Sequence, residues 1–240
     1  MNIKNPLFFL TSILLFSVAC AQNQKQEKTI KTGIEVLKIN DFDILKGKKV
    51  GLITNATGLS SALKPTIDIL YEAENVELVA LYGPEHGARG EIAAGDKVDD
   101  YVDPVTQVPV YSLYGKTRKP TKEMLENVDV LVYDIQDIGV RSYTYISTMG
   151  LAMEAAAEHD IDFVVLDRPN PLGGNKIEGN IAEEGYFSFV SQYPIPYVYG
   201  MTPGEVAILI NEEGWLGEGK KVNLTVVEME GWNRSMTFEE

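Results

Sequence analysis

The run Val76-Glu77-Leu78-Val79-Ala80-Leu81-Tyr82 passes without a break into Gly83-Pro84-Glu85-His86-Gly87-Ala88-Arg89-Gly90-Glu91, and this passage decides how the chain is read. Its first half is a short, nearly continuous apolar segment, the kind that forms a strand buried on both faces. Its second half sets a carboxylate, an imidazole and a guanidinium in a loop whose path Pro84, Gly87 and Gly90 dictate. Such an ending is either a plain turn with polar residues facing water or the lip of a binding site. The neighbouring segments discriminate between the two.

The same pattern recurs along the chain. Apolar runs at 49–55, 108–113, 129–135, 162–166 and 222–227 read as strands. Between them lie helical patterns. Residues 62–72 put Ile67, Leu70 and Tyr71 on one face, and residues 142–158 space Ile146, Met149, Met153 and Ala157 helically. A short helix is expected at 120–125, and another begins at Pro203, where Thr202 and Glu205 form a capping box. Two long stretches, 91–106 and 172–200, read as surface excursions, and excursions of that length are usually functional. Buried strands alternating with amphipathic helices define an α/β protein with a mostly parallel sheet and helices on both faces. Sheets of this class bind ligands at the carboxyl ends of their strands. Asn55, then Glu85 and His86, then Asp134, Gln136, Asp137 and Arg141, then Asp167, Arg168 and Asn170 all fall at such ends. One shared rim is therefore expected, and a functional cleft on it.

Composition narrows the function. The 240 residues are 45% hydrophobic and 23% charged, enough for a folded core. The formal net charge of −14 argues against nucleic acid, whose binding needs clustered Lys and Arg. The single cysteine, Cys20, excludes an internal disulfide. At the N-terminus Lys4 precedes an apolar run ending at Ala19, too short to span a membrane, which reads as a signal peptide over 1–19. Ser17-Val18-Ala19-Cys20 resembles a bacterial lipobox, with Cys20 as the acylated residue and the polar stretch to residue 32 as a flexible tether. The expected location is the cell envelope, anchored by lipid and facing the periplasm, or secreted if Cys20 is not acylated.

The rim residues restrict the chemistry. No G-x-G-x-x-G follows the first strand, and no Walker loop or G-x-S-x-G elbow occurs, so no nucleotide cofactor or serine triad is expected. A metal site from His86, Asp134, Asp137 and Asp167 is conceivable but poor for zinc with one histidine. Carboxylate chemistry with arginine and aromatic support remains. Glycoside hydrolysis needs one protonated carboxyl and a second acid as base or nucleophile. Glu85 supplies the first if burial raises its pKa, and Asp137 or Asp167 the second. Tyr143, Tyr145 and Tyr186 offer rings for sugar faces.

Four segments carry a family resemblance. Gly83-Pro84-Glu85-His86-Gly87, Val110-Tyr111-Ser112-Leu113-Tyr114-Gly115, Asp134-Ile135-Gln136-Asp137-Ile138-Gly139-Val140-Arg141 with Tyr143-Thr144-Tyr145, and Leu166-Asp167-Arg168-Pro169-Asn170-Pro171-Leu172-Gly173-Gly174 occur in that order. They resemble the signature segments of the bacterial exo-β-N-acetylmuramidases, long known only as a domain of unknown function. The likeness runs from about residue 33 to 232. It implies release of terminal N-acetylmuramic acid from peptidoglycan fragments, a Rossmann-like catalytic domain over 33–200 and the incomplete beginning of a smaller C-terminal α/β domain over 201–240. It also implies Glu85 as the catalytic acid, with His86, Asp137, Arg141, Tyr143, Asp167, Arg168 and Asn170 in the cleft; Asn55 and Arg89 join them as substrate-binding candidates. The substrate's lactyl carboxylate suits an arginine, Arg141 first and Arg168 second. Two departures stand out: Ala88 where relatives commonly carry Phe, implying looser sugar packing, and Tyr199 where many carry His. The competing expectations are a non-catalytic muropeptide-binding lipoprotein on the same scaffold and a metal-dependent hydrolase.

Overall fold

The computed structural model describes residues 29–90, 92–93 and 99–239. The expected signal peptide, Cys20 and the tether as far as residue 28 lie outside the described residues, as does Glu91. Thirteen elements build the fold: α1 (Gly33–Ile39), β1 (Lys49–Thr54), α2 (Thr66–Tyr71), β2 (Glu77–Gly83), β3 (Tyr101–Val102), β4 (Pro109–Ser112), β5 (Val130–Asp134), α3 (Tyr145–Glu158), β6 (Asp162–Leu166), β7 (Glu178–Ile181), β8 (Pro196–Val198), α4 (Pro203–Glu212) and β9 (Leu224–Val227).

Seven strands form one sheet in the order β3-β4-β2-β1-β5-β6-β9, all parallel except the short edge strand β3. The parallel strands alone run third, second, first, fourth, fifth, sixth in chain order, which is the Rossmann arrangement. Register is set by apolar side chains that alternate between two cores. Val50, Leu52, Leu81, Val130, Val132 and Val164 pack with Ile34 and Leu37 of α1 and Ile67 and Leu70 of α2. Ile53, Tyr82, Leu131, Tyr133, Phe163 and Val165 pack on the other face with Met149 and Met153 of α3 and Val206 and Ile210 of α4. Gly51 makes room on that second face: a Cβ there would stand 2.8 Å from the Tyr82 ring, whose hydroxyl donates to the Met124 carbonyl at 2.6 Å.

Several expectations shift at their edges. The helix expected from 62 begins at Thr66, because Pro65 disfavours helical geometry at Lys64 and residues 59–65 close a bridge instead. The expected 120–125 helix is a single 3-10 turn at Glu123–Leu125. The 172–200 excursion carries the β7–β8 hairpin. Before the first strand stands α1, which was not expected; there the Thr32 amide donates to the Glu35 carboxylate at 2.9 Å.

The domain boundary placed at 200/201 falls inside the sheet. Strand β9 pairs in parallel with β6, and α4 packs on the same core as α3, so residues up to Val227 belong to the Rossmann-like unit. Without β9, β6 would be a bare edge presenting unpaired backbone N–H and C=O groups.

Candidate active site

The strand order reverses between β1 and β5, and in open α/β sheets the crevice outside that switch point is where ligands bind. The residues at its lip come from β1, β2, β4 and β5. Asn55 follows β1; its Oδ1 accepts from the Thr57 amide at 2.9 Å and hydroxyl at 2.5 Å, and its side chain neighbours the Tyr145 hydroxyl. Tyr145 opens α3, and its phenol pKa is raised by burial and by the neighbouring carboxylates of Glu85 and Asp137. Asn55, Tyr145 and Glu85 therefore share one corner.

Glu85 and His86 are half-buried in the loop after β2. The Tyr114 hydroxyl, just beyond β4, lies against the Glu85 carboxylate, and this contact, with burial, raises the phenol's pKa. His86 sits at φ +75, a left-handed conformation that strains a non-glycine residue by about 1–3 kcal/mol and clusters at functional sites. Two contacts hold it there: the Ile92 amide donates to the His86 carbonyl at 3.3 Å, and Nδ1 lies 3.1 Å from the Ile92 carbonyl. A carbonyl can only accept, so Nδ1 is the donor in this contact.

Arg89 steadies the same loop from below. Its guanidinium donates to Asp103 at 2.6 and 3.0 Å and to Asp68 at 2.9 Å. Burial pushes the Asp103 carboxyl up, but the hydrogen bonds of Arg89 and Thr106 outweigh it and hold its pKa at about 2. Ala88, expected near the sugar, is instead buried in the core between the sheet and α1–α2.

The polar residues after β5 and β6 lie deeper. Asp134 is wholly buried and takes a two-pronged contact from Arg168, Nε at 2.5 Å and Nη2 at 2.9 Å, while Nη2 also donates to the Leu59 carbonyl at 3.0 Å. Arg168 thus ties the end of β6 to the end of β5 beneath the rim, with 4% of its surface exposed. Asp167 caps α4: its Oδ1 accepts from the Gly204 amide at 2.8 Å and its Oδ2 from the Thr202 hydroxyl at 2.9 Å. Burial nonetheless pushes its pKa up to about 6. Asn170 bridges the Met201 carbonyl and the Leu172 amide, both at 2.9 Å. Arg141 donates to Ser191 Oγ at 2.9 Å and to the carbonyls of Ile195 (3.0 Å) and Asn180. Each of these five braces the fold.

Asp137 is different. Its Oδ2 accepts from the Gly139 amide at 2.7 Å and from the Tyr199 hydroxyl, but its buried Oδ1 meets no partner among the described residues. Burial raises its pKa. It borders a cavity of about 380 Å³ lined by Gln136, Pro169, Asn170, Trp232 and Phe238. Tyr199, noted as a departure, therefore serves as a buried donor to Asp137. Tyr143 is 46% and Tyr186 79% exposed on the surface. Among the described residues no group of three or more His, Cys, Asp or Glu is placed to hold a metal ion. The sequence reading missed Tyr114, Arg118 and Phe189. Tyr114 was legible as the aromatic ending the third strand's motif; Phe189 was not, because it sits in an excursion without periodicity.

The fold and the site define a Rossmann-like α/β domain whose switch point carries a half-buried glutamate, two tyrosines and a strained histidine. Residues 50–240 match the family model described as Exo-beta-N-acetylmuramidase NamZ, N-terminal. The chain belongs to that family. It is 53% identical, over 99% of its length, to the peptidoglycan beta-N-acetylmuramidase NamZ of Bacillus subtilis (strain 168), and spans 58% of that protein. Two DUF1343 family crystal structures from Bacteroides fragilis NCTC 9343 are similar. One has a TM-score of 0.82 at 64% identity, covering 88% of this chain and 52% of its own; the other has 0.76 at 38%, covering 87% and 54%.

Proposed function

We propose that the protein is an exo-acting glycoside hydrolase that releases N-acetylmuramic acid from the non-reducing end of peptidoglycan fragments in cell-wall turnover, with Glu85 as general acid. The observation that carries the reading is the corner at the switch point, where Glu85 meets Tyr114 and lies beside Tyr145 and Asn55. A general acid must approach the glycosidic oxygen while its other contacts fix its aim. Tyr114 orients the Glu85 carboxyl, and the braced loop of Arg89 and His86 holds its backbone. Asp137 serves as the second acid, since its Oδ1 meets no hydrogen-bond partner among the described residues and the residue lines the cavity. The name of the Bacillus subtilis relative, which this chain matches over 99% of its own length and 58% of the relative's, supports the substrate class.

Replacing Glu85→Gln in the full-length protein keeps the shape and removes the proton. Release of N-acetylmuramic acid should fall by about 10²–10⁴-fold; undiminished turnover would sink the assignment. One observation favours a binding-only lipoprotein instead: Asp134 and Asp167 are both engaged inside the fold. That reading expects muramyl saccharide to bind with no release by the unaltered protein. The lipobox-like Cys20 supports acylation and a location in the cell envelope as part of the same proposal.

A further inference from the structure

The chain contains five arginines, and four are bound into the fold. Arg89 pairs with Asp68 and Asp103, Arg168 with Asp134, and Arg234 with Glu205, while Arg141 holds Ser191 and two backbone carbonyls. Arg118 has no hydrogen bond or ion pair among the described residues. Its guanidinium lies instead on the Phe189 ring, with Cζ 4.2 Å from the centroid. In a chain with 35 acidic side chains, this one cationic fork is kept clear of all of them that the structure describes.

Its surroundings place it. The Phe189 ring neighbours Tyr114 with centroids 6.5 Å apart, and the Tyr114 hydroxyl lies against Glu85. Glu85, Tyr114, Phe189 and Arg118 thus form a continuous row along the rim. Both supports are stiff. Phe189 sits at the tip of a tight turn closed by reciprocal Ser188–Ser191 backbone bonds of 3.1 and 2.9 Å, and Arg141 Nε donates to Ser191 Oγ. Beside Arg118, the Thr117 hydroxyl donates to the Lys119 carbonyl at 2.6 Å, and Lys119 reaches Glu154 and Glu158 of α3 at 2.8 Å.

We propose that Arg118, lying on Phe189, recognises a carboxylate of the ligand and so sets specificity for an acidic sugar; this rests on the glycosidase reading of the Glu85 cleft. The guanidinium fork matches a carboxylate with two parallel hydrogen bonds. The ring beneath fixes its plane, so little ordering remains to be done on binding. Arg141 and Arg168, expected in this role, are already engaged; Arg141 contributes by holding the turn that presents Phe189. The carboxylate can belong to the lactyl ether of a muramic residue or to its peptide stem.

Calorimetry on the full-length protein tests this with three probes: N-acetylmuramic acid, whose lactyl carboxylate is free; muramyl dipeptide, whose lactyl group is amidated and whose carboxylate lies in the peptide; and N-acetylglucosamine, which has none. Arg118→Gln should weaken a carboxylate-bearing probe about tenfold or more and leave N-acetylglucosamine unchanged. Added salt should weaken the same probe with the unaltered protein. Loss with the free acid assigns the lactyl group; loss confined to the dipeptide assigns the stem. Phe189→Leu, on an exposed turn, should show a smaller loss of the same kind. Unchanged affinity for both acids, equal loss for N-acetylglucosamine, or no binding by the unaltered protein overturns the proposal. Turnover by Glu85→Gln separately judges the cleft: if Glu85 proves dispensable while Arg118 governs binding, only the catalytic reading fails.

Discussion

Arg89 and Arg118 carry the same charge, yet one is a brace and the other faces the rim, and the difference lies in what each meets. Arg89 meets Asp103, a carboxylate with no exposed surface whose folded pKa of about 2 lies well below its value in an unfolded chain, about 3.9. As pH falls, the unfolded state takes up the proton first. The pairing therefore stabilises fully above about pH 4 and is lost as pH falls through about 2. The shift corresponds to roughly 2–3 kcal/mol. Asp103→Asn should lower the urea unfolding free energy at pH 7 by about 2 kcal/mol and flatten its slope between pH 4 and 2. Identical slopes for the two proteins would rule out Asp103 as the titrating brace. Since Arg89 supports the loop of Glu85 and His86, the variant should also lose turnover in proportion to that loop's disorder.

At the scale of elements, the C-terminal ends of β5 and β6 are joined by a buried ion pair that the rim reading had placed in the cleft. Asp134 and Arg168 are 0% and 4% exposed, and Thr66 at the start of α2 adds its hydroxyl to Asp134. Such a pair gives modest net stability, but removing one partner strands the other's charge in low dielectric. Arg168→Met should therefore cost about 3–5 kcal/mol, read as a lower urea midpoint with an unchanged m-value. A variant of wild-type stability with selective loss of saccharide binding would return Arg168 to the substrate. The elements themselves were largely legible. Five of the apolar runs became strands of the sheet with β2, and the Thr202–Glu205 capping box marks the start of α4. What pattern could not show was β3, β7 and β8, because two- to four-residue strands on exposed hairpins have no apolar run to betray them.

At the scale of the whole molecule, the described residues form one Rossmann-like unit closed by β9, and no described helix is long and apolar enough to cross a membrane. The proposed scheme attaches the chain to a membrane through Cys20. Expressed with residues 1–19 in place, the protein should sediment with membranes under this proposal, and Cys20→Ser should move it to the soluble fraction. Equal partitioning of the two would remove the lipid anchor from the account.

The sequence by itself determined the parallel α/β architecture, the shared rim of strand-end polar residues and the prominence of Glu85. Periodicity and strand endings are local properties, and in a parallel sheet every C-terminal strand end points the same way. Only the tertiary structure decided which rim residues face the crevice. Arg141, Asp167, Arg168 and Asn170 share a sequence signature with Glu85, but their partners come from distant segments: Ser191, Gly204, Asp134 and Met201. Whether a polar side chain binds a ligand or satisfies its own fold depends on which donors and acceptors burial brings against it, and sequence spacing does not encode that.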